Sequence, residues 1–215
     1  MSQLRQRVVL LGAAVMVALG CARGGDAALL SGVLPGVVST PAAAYCDTNV
    51  SQPFARWGDM ANYALAPGGS FESGTPSWSL GNGAKVVAGN EPFYVHSRSD
   101  SRSLSIPGGG TAATPTMCYA FGDWKLRLFA SSSGTASYSR LQVSVVARNL
   151  TGVLSVLDSA SLTPAGAWGP TNPVALTVTN LCGLIATDSV SFRFAAIGPG
   201  SWRIDDVYLD PWKDP

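Results

Sequence analysis

The sequence predicts an all-β chain, an antiparallel two-sheet β-sandwich, on three observations. About eleven short runs rich in β-branched and aromatic residues recur at spacings of roughly 8 to 15 residues, each bounded by Gly, Pro, Asn or Ser. Only 13% of the 215 residues are charged, and 24 Gly with 14 Pro punctuate the chain, a composition that weakens helices and suits strands joined by turns. Beyond an apolar N-terminal region, no stretch keeps apolar residues at i, i+3, i+4 and i+7 long enough to make a helix.

Taken in order, Cys46 to Met60 has no sustained period, and Phe54 and Trp57 are placed to cover one end of a core. Asn62–Leu65 reads as a short strand, followed by the turn signal Pro67-Gly68-Gly69. Further strands are predicted at Trp78–Leu80, Lys85–Val87, Phe93–Ser97, Ser103–Ile106, Thr114–Tyr119 and Lys125–Phe129. After the turn at Ser131-Ser132-Ser133-Gly134, Leu141, Val143, Val145 and Ala147 share one face of a strand; Arg140, Gln142, Ser144 and Val146 share the other. Val153–Leu157, Val174–Val178 and Val190–Ala195 continue the pattern, with Val190, Phe192 and Phe194 on one side. Trp78 and Trp202 are core candidates. The last run, Ser201–Asp210, alternates apolar and charged residues yet carries the adjacent pair Asp205 and Asp206, which need partners if buried. If the first and last strands lie side by side, the stretch Pro67–Trp78 meets this run and brings Glu72 to the aspartates.

Arg5 and Arg7 precede the 13-residue apolar run Val8–Gly20, an export-signal pattern and too short for a membrane span, which needs about 20 residues. A start at Met16, with Arg23 as basic flank and Ala27–Val38 as apolar region, leads to the same outcome. Residues 1–44 are therefore expected to be processed, leaving a single secreted domain at 45–215 that begins at Tyr45 after the small-residue site Pro41-Ala42-Ala43-Ala44. Ala18-Leu19-Gly20-Cys21 offers a lipoprotein-like alternative, with Ala and Leu in the unfavourable order. In an oxidising compartment a disulfide between Cys46 and Cys118 is expected, with Cys182 a small buried hydrophobe.

The formal net charge of +1 with no basic cluster excludes nucleic acid as the main partner, because phosphate neutralisation needs concentrated Lys and Arg. Catalysis has little support: His96 is the single histidine, no Gly-x-Ser-x-Gly surrounds a serine, and Glu72 and Glu91 are the only glutamates. A sugar site needs flat aromatics flanked by hydrogen-bonding groups. Trp57, Tyr94, Trp124, Trp168 and Trp212 are available, and Asn90–Arg98 mixes aromatic and polar residues, with Tyr94, His96 and Arg98 on one face if the run is a strand. Tyr94, His96 and Trp124 are the expected ligand-contacting residues.

Phe71-Glu72-Ser73-Gly74 followed by Trp78, Ser103-Leu104-Ser105-Ile106-Pro107-Gly108-Gly109, and Trp202-Arg203-Ile204-Asp205-Asp206-Val207 resemble strands of β-jelly-roll, galactose-binding-like carbohydrate-binding modules. Ser51-Gln52-Pro53-Phe54, Arg56-Trp57-Gly58-Asp59, Gly89-Asn90-Glu91 and the Asp-Asp-Val-Tyr ending make the chain similar to a group of exported proteins of high-GC Gram-positive bacteria, which brings no activity with it. The module resemblance implies a jelly-roll and a structural Ca²⁺ held by Glu72 and one of Asp205 or Asp206, with carbonyls near Ser73 or Gly74. Such a site suits the loose oxygen coordination of calcium. The function expected is a non-catalytic, monomeric binding protein of the cell exterior that recognises carbohydrate or a cell-envelope glycan. The alternatives are a surface protein-interaction domain and a small carbohydrate-active hydrolase.

Overall fold

The computed structural model describes residues 49–75, 77–118, 122–134, 137–148, 154–178 and 189–210. The export segment, Tyr45, Cys46, Trp212 and Cys182 lie outside these, as does the side chain of Cys118, so the expected disulfide falls outside the described residues.

Among the described residues fourteen strands follow in order: β1 (Val50–Ser51), β2 (Tyr63–Leu65), β3 (Ser79–Gly81), β4 (Lys85–Ala88), β5 (Arg102–Ile106), β6 (Thr111–Ala113), β7 (Met117–Cys118), β8 (Gly122–Ser132), β9 (Arg140–Arg148), β10 (Leu154–Leu162), β11 (Gly169–Pro170), β12 (Val174–Val178), β13 (Ser189–Ile197) and β14 (Trp202–Asp210). A 3₁₀ turn at Ala55–Trp57 is the one helical element among the described residues, and it closes on Gly58 at φ 83°. The strands form two antiparallel sheets: β1, β2, β4, β5, β8, β11, β12 and β14 in one, and β3, β6, β7, β9, β10 and β13 in the other. The chain crosses between the sheets after β2, β3, β5, β7, β8, β10, β12 and β13, the connectivity of a jelly-roll sandwich.

The alternation read from the sequence is what closes this sandwich. Leu141, Val143 and Val145 of β9 and Val190, Phe192 and Phe194 of β13 are fully buried, and they face Leu104, Ile106, Leu126, Leu128 and Ile204 in one core. Each such side chain contributes about 1.5–3 kcal/mol on leaving water. Trp78 and Trp202 join this core as expected, Trp78 stacking on Phe194 and donating its indole N–H to the Pro67 carbonyl at 2.7 Å.

Two elements differ from expectation. In the described part of the expected strand Thr114–Tyr119, residues 114–116 leave the ladder, because Pro115 has no N–H to give it. β6 and β7 flank them, and Thr114 bridges the break by donating its N–H to the Phe192 carbonyl at 3.0 Å and accepting the Phe192 N–H on Oγ1 at 2.9 Å. Phe93–Ser97, expected as a strand, is a chain of turns. Its amides are taken by acidic side chains instead of a neighbouring strand.

Replacing Phe192 by alanine leaves a cavity at the centre of this core and is expected to cost about 3–5 kcal/mol in urea unfolding. Val156→Ala, at a side chain 62% exposed, should stay within about 0.5 kcal/mol. Similar midpoints for both variants would contradict the core described here.

Candidate functional site

β14 is the central strand of its sheet. Along one edge it pairs with β8 from Trp202 to Asp210; along the other it pairs first with β5, from Trp202 to Ile204, and then with β2, at Tyr208 and Leu209. Between β5 and β2 no strand covers Asp205–Val207 on that edge. There the backbone of residues 66–69 takes over, with Ala66 N–H donating to the Val207 carbonyl at 2.8 Å and Val207 N–H donating to the Gly69 carbonyl at 3.1 Å. A Cβ on Gly69 would lie 2.9 Å from both the Ala66 and Val207 carbonyl oxygens, so only glycine permits this approach.

At the same place β14 bulges. Asp205 lies opposite Phe129 and Tyr208 opposite Arg127, so three steps on β14 match two on β8. Asp206 takes the left-handed conformation, φ 47°, and its N–H is held by Asp205 Oδ1 at 2.9 Å. The extra residue restores the inward direction for Val207 and Leu209 and leaves Tyr208 to pack with Phe54, Tyr63 and Phe129 in a second cluster.

The loop between β4 and β5 docks on these aspartates. Glu91, fully buried, donates its N–H to Asp205 Oδ2 at 3.1 Å. Its carboxylate accepts the N–H of Phe93 on Oε2 and that of Val95 on Oε1, the latter at 2.6 Å. Asp206 Oδ2 accepts the His96 N–H at 3.1 Å, and His96 Nδ1 lies 2.7 Å from Asp100 Oδ2. Capturing these amides folds the run away from strand geometry; Tyr94 turns through φ 52° and stands 49% exposed, while Phe93 and Val95 pack against the aromatic cluster.

Burial above all, and then the neighbouring Asp206 charge, push the Asp205 carboxyl up to about 9. Burial likewise raises Asp206 to about 7, with the His96 amide working against it and the Glu91 charge adding to it. Asp206 Oδ1 is buried without a hydrogen-bond partner.

A second polar group anchors the N-terminal segment. Asp59 accepts from Tyr63 Oη at 2.8 Å, from the Ala61 N–H at 3.1 Å and from the buried Arg127 guanidinium at 2.5 Å. Burial pushes its carboxyl up, yet the hydrogen bonds from Tyr63, Ala61 and Arg127 hold it below the usual carboxylate range. Arg127 also donates to the Thr171 carbonyl at 2.7 Å and lies 4.4 Å over the Phe54 ring. Above this group is an open cavity of about 370 Å³ lined by Trp57, Asp59, Met60, Tyr63, Lys125 and Arg127, among others.

Of the residues expected to bind ligand or metal, the structure brings Asp205, Asp206 and His96 together, with Tyr94 on the same loop. Tyr94, His96 and Arg98 share no strand face, because the segment is not a strand. Trp124 lies on β8 opposite Leu176, five residues from the Phe129 that faces Asp205 and so about 17 Å along the strand; its side chain is outside those described. Glu72 is engaged elsewhere, accepting the N–H of Ser101 at 2.8 Å and of Arg102 at 2.6 Å on Oε1, and the Ser101 hydroxyl on Oε2. Among the described residues the grouping with metal-ligand geometry is His96, Asp100 and Asp206, whose donor atoms lie within 4.8 Å of one another. The sequence reading missed Glu91 as a partner of β14 and Asp100 as the partner of His96; Pro92 directly after Glu91 was the available signal, since proline argues against a paired strand. Arg203 serves neither aspartate: it donates to the Ala88 and Gly89 carbonyls and to Ser103 Oγ.

No family model matches the sequence, and no curated protein matches it. Solved structures similar to this chain include TmCBM61 in complex with beta-1,4-galactotriose (14% identity, TM-score 0.44, covering 69% of this chain and 98% of that one). A second is the structure described as Family 16 Carbohydrate Binding Module-2 (14% identity, TM-score 0.43, covering 68% and 99%). A third is the enzymatically active domain of bacteriophage CBA120 tailspike protein 4 (14% identity, TM-score 0.48, covering 67% of this chain), of which this chain spans only 21%. Likeness at this level carries no ligand with it.

Both aspartates have carboxyls raised above their unfolded value near 3.8, so the folded state retains protons that the unfolded state releases. The contribution of these two groups to stability is thus fullest below about pH 4 and falls as pH rises toward about 9. Thermal melts in chelator between pH 5 and 9 should show this decline, and Asp206→Asn should flatten it between pH 4 and about 7; an unchanged slope would contradict the assignment. Asp59→Ala strands a buried guanidinium and is expected to cost about 3 kcal/mol in denaturant unfolding.

Proposed function

We propose that this chain is an exported, non-catalytic binding protein that recognises carbohydrate at the cavity beside Trp57. The observation that carries the reading is the composition of that cavity. Its volume of about 370 Å³ falls in the range of small-ligand pockets, about 300–1,000 Å³. It joins Trp57, whose ring has the Arg56 guanidinium 4.6 Å over it and meets Phe93 and Phe129, to the polar groups of Asp59, Tyr63, Lys125 and Arg127. A pyranose presents the complementary pair of surfaces: a C–H face for the ring and hydroxyls for the charged and hydroxyl groups. The ion pair and hydrogen bonds that fix Asp59, Tyr63 and Arg127 before any ligand arrives reduce the ordering cost of binding. Export is supported by the basic residues and apolar run at the N-terminus.

A glycan array spanning plant and bacterial polysaccharides tests this with tag-free protein. Retention on at least one polysaccharide is expected, weakened about tenfold or more, roughly 1.4 kcal/mol, by Trp57→Ala. Because Trp57 also packs on Phe93 and Phe129, Lys125→Ala serves as the second variant and should also weaken retention. No retention on any glycan, or retention indifferent to both variants, would reject the reading.

A further inference from the structure

Beside the bulge of β14 the fold brings one imidazole and two carboxylates together. We infer that His96, Asp100 and Asp206 form a binding site for a divalent first-row transition-metal ion, with Zn²⁺ as its representative. This inference stands independently of sugar recognition.

Three observations converge on it. The donor atoms of the three residues lie within 4.8 Å of one another. Ligands around Zn²⁺ stand about 2.0–2.2 Å from the ion, hence roughly 3.5 Å apart, so a movement of about 1 Å closes the set. Asp206 is fully buried and its Oδ1 has no hydrogen-bond partner; a buried carboxylate oxygen left in that state is costly unless something cationic or a donor meets it. Finally, the donor set contains an imidazole nitrogen. Calcium takes oxygen ligands, whereas one nitrogen with carboxylate oxygens suits zinc and its neighbours.

The surrounding structure is arranged to hold such a set. The His96 amide is tied to Asp206 Oδ2, which fixes the loop against β14, and the Glu91 carboxylate pins the loop two and four residues onward. Asp100 is buried while the His96 side chain is 38% exposed, so the ring forms the outward side of the site and leaves a coordination position for water.

Because His96 is the single histidine of the chain, its ring nitrogens give an unambiguous NMR signal. Titrating tag-free ¹⁵N-labelled protein with Zn²⁺ should shift the Nδ1 resonance and saturate at one equivalent, and Co²⁺ should give visible d–d absorption. Asp206→Asn and Asp100→Asn should each weaken Zn²⁺ binding at least tenfold in calorimetry, while Glu72→Gln leaves it within about twofold. The wild-type NMR titration decides the question even if a variant fails to fold. No shift, a shift confined to Nε2, or Ca²⁺ binding that Glu72→Gln abolishes would overturn the inference; the last outcome would restore the calcium set.

Discussion

The structure depends on placing carboxylates where a strand is missing. β14 needs partners on both edges, but between β5 and β2 nothing extended is available, and an uncovered edge inside a protein leaves amides and carbonyls unpaired. Asp205 and Asp206 at that point, with Glu91 on the facing loop, provide acceptors for the Glu91, Phe93, Val95, His96 and Asp206 amides. Residues 66–69 take the strand's place on Val207, and the carboxylates dock the 91–96 loop beside them. The cost is that three carboxylates are crowded into a buried volume, which is why burial and mutual repulsion raise the two aspartates rather than leave them ordinary acids.

The bulge makes this arrangement compatible with a regular core. Without an extra residue, alternation would direct Val207 outward and Tyr208 inward. With it, Ile204, Val207 and Leu209 all reach the main core, and Tyr208 enters the aromatic cluster. That second cluster covers the outer face of the sheet. Phe54 meets Tyr63 and Tyr208 edge-on and stacks on Phe129, while Trp57 meets Phe93 and Phe129. The N-terminal segment and the docked loop thus share one apolar seam, and the seam holds both the Trp57 cavity and the acidic group in place.

The two polar groups differ in kind. Around Asp59 a cation is present, and opposite charge with three donors lowers the carboxyl. Around Asp205 and Asp206 the neighbouring charges are mostly alike, Glu91 and Asp100 among them, and His96 is the basic side chain that acts on Asp206. The first group is self-sufficient and forms a finished polar floor to the cavity beside Trp57. The second has a buried oxygen with no protein partner, so it reads as a place for a cation.

The β-sandwich class was legible from the sequence by itself, because alternation with a period of two follows from the pleat and needs no knowledge of neighbours. β12 and most of β5, β9 and β13 were read nearly to the residue, and the shared side assigned to Val190, Phe192 and Phe194 is the one that is buried. The side-by-side first and last segments were also anticipated, and residues 66–69 do lie against Val207. What only the tertiary structure decided is which acidic residues meet. Glu72 turns to Ser101 and Arg102, and Glu91 takes the place beside Asp205. That choice depends on a one-residue bulge and on a loop whose alternating composition imitates a strand. Local pattern reports which face a residue would take if the chain stayed extended, whereas capture of amides by carboxylates over a hundred positions away is set by the packing of the whole sheet.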